Sequence, residues 1–139
     1  MKLIKTIIFL LYLGLSAMSQ AANTLSYIRL LTAKDGNSYF TTEQEVLNPA
    51  KVGFISRMIP VSNVFFGHGS GKEQDWHNPA QKLFIIVLSG IMQIETSKGE
   101  IKNFSAGEIL LLEDLTGKGH KTRSLTGQTV SYLAIPLIE

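Results

Sequence analysis

The feature that most constrains this 139-residue chain is its punctuation. Turn signals recur roughly every eight to twelve residues, and no stretch between them has the 3.6-residue period of an amphipathic helix. Asp35-Gly36-Asn37, Asn48-Pro49, Ser89-Gly90, Ser97-Lys98-Gly99, Ser105-Ala106-Gly107 and Thr126-Gly127-Gln128 separate short apolar or alternating runs. These runs include Tyr27–Leu31, Val52–Ile59, Val61–Phe66, Lys82–Leu88, Ile91–Thr96, Ile101–Phe104, Ile109–Leu112, Lys121–Leu125 and Thr129–Leu137. Gly and Asn supply positive φ where turns need it, and Pro60 cannot donate to a ladder. The pattern predicts an antiparallel all-β sandwich or barrel. Ser89-Gly90 is expected to close a tight hairpin between the runs on either side of it, and Ser38–Leu47 to be irregular apart from a short edge strand.

Residues 1–21 stand apart from this pattern. Lys2 and Lys5 precede an uncharged run from Thr6 to Ala17, and Ser19-Gln20-Ala21 then places small residues where a signal peptidase reads. The run is short for a membrane span, which needs about 20 apolar residues. Met1–Ala21 is therefore expected to be a signal peptide, with residues 22–139 forming one exported domain, periplasmic or secreted, that retains no stable membrane span. Two of the 13 basic residues belong to the leader and all 11 acidic residues lie beyond it, so the remainder carries 11 of each sign. Without a clustered basic face, no nucleic-acid partner is expected. The chain has no cysteine, so disulfides and thiolate chemistry are excluded and the core alone must hold the fold.

Two histidines sit beside strand-like runs. His77 lies in Trp76-His77-Asn78-Pro79, just before Lys82–Leu88, and His120 ends Glu113-Asp114-Leu115-Thr116-Gly117-Lys118-Gly119-His120. Gly67-His68-Gly69-Ser70-Gly71-Lys72 looks at first like a phosphate-cradling loop. It lacks the Gly-Lys-Ser/Thr that opens a helix, and is better read as a loop at a barrel mouth.

The order of these elements resembles the cupin superfamily. Its first motif runs Gly, five residues, His-x-His, three or four residues, Glu, six residues, Gly, and Gly71, His77 and Gly90 fit that frame. Leu88-Ser89-Gly90 with the run after it, Phe104-Ser105-Ala106-Gly107-Glu108, and Gly119-His120 fit the later parts, with two extra residues in the loop before His120. The resemblance covers about 50 residues and implies a cupin-type antiparallel jelly-roll barrel (a double-stranded β-helix). It further implies a divalent transition metal, Fe, Mn, Ni or Zn, held on three His and one Glu. Here His77 and His120 match the first and last His, while Pro79 and Leu83 stand where the second His and the Glu would be.

Two readings of the site follow. In one, His77 and His120 recruit Glu113 as a third metal ligand, with His68, Asp75 and Gln81 as lesser candidates, and the protein is a metal-dependent dioxygenase or isomerase. In the other, the histidines bind a small-molecule ligand without a metal and the protein has no assigned activity. Trp76 and Arg123 are further ligand-binding candidates. Trp76 is read first as a packing residue of the barrel wall and only second as a ligand platform. Arg123 either clamps an anion or pairs with Glu113 or Asp114. Glu113 and Asp114 are adjacent, so at most one faces the interior of an extended chain, and no carboxylate dyad is expected. The glycines before His120 are read as turn residues that let it point inward. A homodimer through the apolar outer face of Lys82–Leu88 is compatible with either reading.

Overall fold

The computed structural model describes residues 23–138. The expected leader lies outside them. The described chain is all-β apart from one 3-10 turn, Leu125–Gly127, and no helix in it is long and apolar enough to cross a membrane.

The strands in order are β1 (Thr24–Thr32), β2 (Ser38–Val46), β3 (Asn48–Pro49), β4 (Phe54–Ile55), β5 (Phe65–His68), β6 (Gln74–His77), β7 (Leu83–Ser89), β8 (Met92–Thr96), β9 (Ile101–Phe104), β10 (Ile109–Leu112), β11 (His120–Ser124) and β12 (Ser131–Pro136). β3 and β4 form a separate two-stranded antiparallel ribbon, and the two large sheets have the orders β2-β1-β10-β7-β12-β5 and β6-β11-β8-β9. Their inner faces meet in a core of Leu30, Ile85, Val87, Met92, Ile94, Phe104, Leu110, Leu112, Val130 and Ala134. Burying each of the larger aliphatic or aromatic side chains is worth about 1.5–3 kcal/mol. The two-sheet arrangement fits a jelly roll.

Several expectations are revised. Ser89-Gly90 does not close a hairpin: β7 pairs with β10 and β12, whereas β8 pairs with β9 and β11. The chain crosses between sheets there. Gly90 has φ +75°, and a Cβ would meet the backbone of Thr129 at 2.8 Å. Nor is pairing antiparallel throughout, because β1 runs parallel to β10.

The segment expected to be irregular, Ser38–Leu47, is instead a full strand. It pairs with β1 in continuous register from Thr24↔Val46 to Thr32↔Ser38. Its scattered apolar residues reflect an edge position with much of its surface in solvent. Asp35 shapes the turn before it, accepting from the Asn37 backbone N and side-chain Nδ2, each at 3.0 Å. Conversely, Val52–Ile59 contains only the two-residue β4. Gly53 turns the chain at φ +74°, and Val52 and Met58 pack on little.

Candidate functional site

The loop from β10 to β11 decides which carboxylate enters the interior. Leu110 and Leu112 belong to the core, while Leu111 faces a depression on the outer side of the larger sheet. The alternation continues past the strand end. Glu113 faces outward with Leu111, and Asp114 is fully buried inside. Glu113 is therefore not a partner of the histidines, which corrects the expectation. Its carboxylate accepts from Arg29 Nε at 2.5 Å and lies 3.9 Å from Lys82 Nζ, while Arg29 also reaches Glu43 at 2.9 Å. Glu113 shares the parity of Ile109 and Leu111, but in a run that is apolar on both faces either parity could face the core, and the inward one is that of Leu110, Leu112 and Asp114.

His77 and His120 are direct partners across β6 and β11, with ring centroids 4.3 Å apart. Each ring is fixed through Nδ1. His77 Nδ1 lies 2.7 Å from the Asp75 backbone oxygen, and His120 Nδ1 lies 2.7 Å from Asp114 Oδ2. A carbonyl can only accept, so His77 carries its proton on Nδ1. Neutral His120 does the same against the carboxylate. Both Nε2 atoms lack a protein partner among the described residues.

The loop that delivers His120 is tied down along its length. Asn78 Nδ2 donates to the backbone oxygens of Asp114 (2.6 Å) and Thr116 (3.0 Å). Thr32 Oγ1 donates to Thr116 O at 2.8 Å, and Lys118 N donates to Gly36 O at 2.9 Å. Buried Ser38 donates from Oγ to Gly119 O at 2.6 Å. Gly119 itself has φ +69°, and a Cβ there would run into the His77 carbonyl. Asp114, Asn78 and Ser38 were missed as site residues. The first was hidden by the ambiguous parity, and the other two act through the backbone.

The imidazoles line a cavity of about 710 Å³ between the sheets. Thr122 and Ser124 of β11 share its polar lining. Leu83, Ile85, Met92, Ile94, Leu110, Leu112, Val130 and Tyr132 form much of its apolar wall. Pro79 and Leu83, the positions read as replacing a His and a Glu, line it too.

The remaining candidates lie elsewhere or are already engaged. Trp76 alternates with His77, is 44% exposed, and has Lys121 Nζ 5.1 Å from its ring rather than a place in the cavity wall. Arg123 touches the cavity edge, but its guanidinium is engaged by Gln93 Oε1, Glu73 Oε2 (3.1 Å) and Glu95 Oε2 (3.6 Å). Its carboxylate partners are thus Glu73 and Glu95, not Glu113 or Asp114. His68 meets Ser131 Oγ at 3.0 Å and does not line the cavity. Asp75 contributes its main chain, with its side chain turned to Lys121 at 3.4 Å. Gln81 lines the cavity and points its amide at Ser62 Oγ, 3.5 Å away.

A metal held on three His and one Glu does not fit these residues. The two lone pairs are present, but Pro79 and Leu83 offer no donor atom. No group of three or more His, Cys, Asp or Glu side chains among the described residues is placed to hold an ion. The pairing of His120 Nδ1 with a carboxylate is one that metal-bound imidazoles use, yet it equally orients an imidazole toward an organic ligand.

Burial is the main influence on His77, and with neighbouring His120 it holds the imidazole below the ordinary histidine range, against the opposing Asp75 carbonyl and Asp114. The unfolded chain then binds this proton more readily than the folded one, so His77 makes stability rise with pH through the histidine range and fall on acidification below it. The melting temperature is expected to be lower at pH 5.5 than at pH 7.5, with a smaller difference in His77→Phe, as thermal unfolding across that range would show. A second expectation concerns the outer face. Glu113→Ala should cost about 1–3 kcal/mol in urea unfolding by stripping Arg29 of its best partner.

No protein-family profile matches this sequence, and no curated protein matches it significantly. Cupins are among its structural neighbours. A cupin domain from Bordetella pertussis is 16% identical, with TM-score 0.42, over 59% of this chain and 91% of that one. An RmlC-like cupin protein from Desulfovibrio desulfuricans is 15% identical, with TM-score 0.36, over 97% and 99%. A Neisseria meningitidis protein is 17% identical, with TM-score 0.46, over 58% and 84%. At such identities and scores these likenesses do not extend to ligand or activity.

Proposed function

We propose that this protein is an exported binding protein built on a cupin-type double-stranded β-helix, and that it takes a small organic molecule between its sheets. The observation that carries this reading is the cavity itself, a mainly aliphatic space of about 710 Å³ onto which two oriented imidazoles open. Cavities of this size and lining suit small ligands that bury most of their surface, with a few polar groups fixing orientation. Export rests on the leader pattern of residues 1–21.

The test is methyl NMR on protein labelled at Ile and Leu, titrated with a panel of small aromatic and aliphatic molecules. Saturable shifts are expected at Ile85, Ile94, Leu110 and Leu112. Shifts confined to surface methyls across the whole panel would contradict the reading.

A further inference from the structure

The way the two imidazoles are held narrows the class of ligand. Each commits Nδ1 to an acceptor supplied by the protein, the Asp75 carbonyl for His77 and the Asp114 carboxylate for His120, both at 2.7 Å. In the neutral rings the lone pair then resides on Nε2 in both cases. The cavity thus presents two neighbouring acceptors and, from this pair, no donor. Had one imidazole met a backbone N–H instead, its tautomer would be reversed and the pair would offer one donor and one acceptor.

The electrostatic setting points the same way. Asp114 is fully buried behind His120, and its Oδ1 is the one buried side-chain polar atom without a partner among the described residues. Of the two cationic side chains in the lining, Arg123 is engaged by Gln93, Glu73 and Glu95, and Lys72 sits on the exposed loop before β6. A carboxylate or phosphate head placed at the histidines would set its lone pairs against theirs, near an uncompensated buried oxygen. Desolvating an anion without a paired cation is costly. A hydroxyl head instead satisfies an Nε2 acceptor while its apolar body fills the aliphatic wall.

We infer that the ligand is an uncharged amphiphile whose hydroxyl head, alcoholic or phenolic, donates to Nε2 of His77 or His120, and that anionic heads are disfavoured. This rests on the small-molecule reading above and adds the head-group chemistry to it. It also gives the missing His and Glu a consequence. With Pro79 and Leu83 in their places the site keeps its acceptors and gains apolar surface.

The experiment uses three probes of similar size, phenol, toluene and benzoate, titrated into the full-length protein and into His77→Phe and His120→Phe by NMR or calorimetry. Wild type is expected to bind phenol and toluene, with benzoate weaker than phenol. In at least one of the two variants the phenol-to-toluene affinity ratio should fall about fivefold, the worth of one net hydrogen bond. Should the variants fail to fold, the imidazole 15N shifts of the wild-type protein carry the test, and both rings are expected as the Nδ1–H tautomer. Toluene binding with an unchanged ratio in both variants, benzoate binding tighter than phenol, or rings protonated on Nε2 would overturn the inference and leave the cavity reading standing. If none of the three probes bound, the cavity reading would fall and the head-group assignment with it.

Discussion

Gly119→Ala should lower stability by about 4 kcal/mol or prevent folding altogether, the largest effect expected of any single methyl group in this protein. Two costs coincide at this position. The backbone sits at φ +69°, where an L side chain is strained by roughly 1–2 kcal/mol. The added Cβ also collides with the His77 carbonyl, which is main chain in β6 and cannot swing aside as a side-chain tip would. Relief would require β6 and β11 to separate where His77 and His120 are paired. Urea unfolding measures the cost. Gly99→Ala is the control, since a Cβ there meets nothing within 4 Å although its φ is +86°; it should show the strain without the collision. Equal costs in the two variants would mean that the packing against His77 contributes nothing.

Asp114→Ala comes second, with an expected loss of about 3 kcal/mol. Its carboxylate is fully buried and accepts the proton on His120 Nδ1. Truncation leaves a buried N–H without an acceptor and opens a void, and breaking a buried pair of this kind typically costs a few kcal/mol. Asp114→Asn supplies the informative contrast. The amide oxygen still accepts from Nδ1, and the charge beside the unpartnered Oδ1 is gone, so this variant should retain more stability than the alanine. Imidazole 15N shifts should show the Nδ1–H tautomer of His120 kept in the asparagine variant and lost in the alanine one. If Asp114→Ala were as stable as wild type, the carboxylate would not be what fixes His120.

The turns made the all-β class legible, because Gly, Asn and Pro act locally and their spacing leaves no room for helices. Which strands pair was less visible. Ser89-Gly90 has the composition of a hairpin turn, yet Gly90 is needed for a sheet-to-sheet crossing against Thr129 and Val130. Local composition cannot distinguish those two uses of positive φ. The two histidines were readable from their places in the motif frame, and they do line one cavity. Their supporting residues were not readable. Glu113 and Asp114 differ by one residue in phase, and Ile109–Leu112 is apolar on both faces, with β10 flanked by β1 and β7 and Leu111 buried on the side opposite Leu110 and Leu112. Trp76 was drawn toward the site by its adjacency to His77, although alternation along a strand sends neighbours to opposite faces.

The central claim is that His77 and His120 form the polar end of a ligand cavity rather than a metal centre. Elemental analysis of the protein purified without a histidine tag tests it most directly, alongside His77→Ala and His120→Ala. Metal well below one equivalent, unchanged in both variants, is the predicted result. Stoichiometric metal in the wild-type protein that disappears in both variants would contradict it.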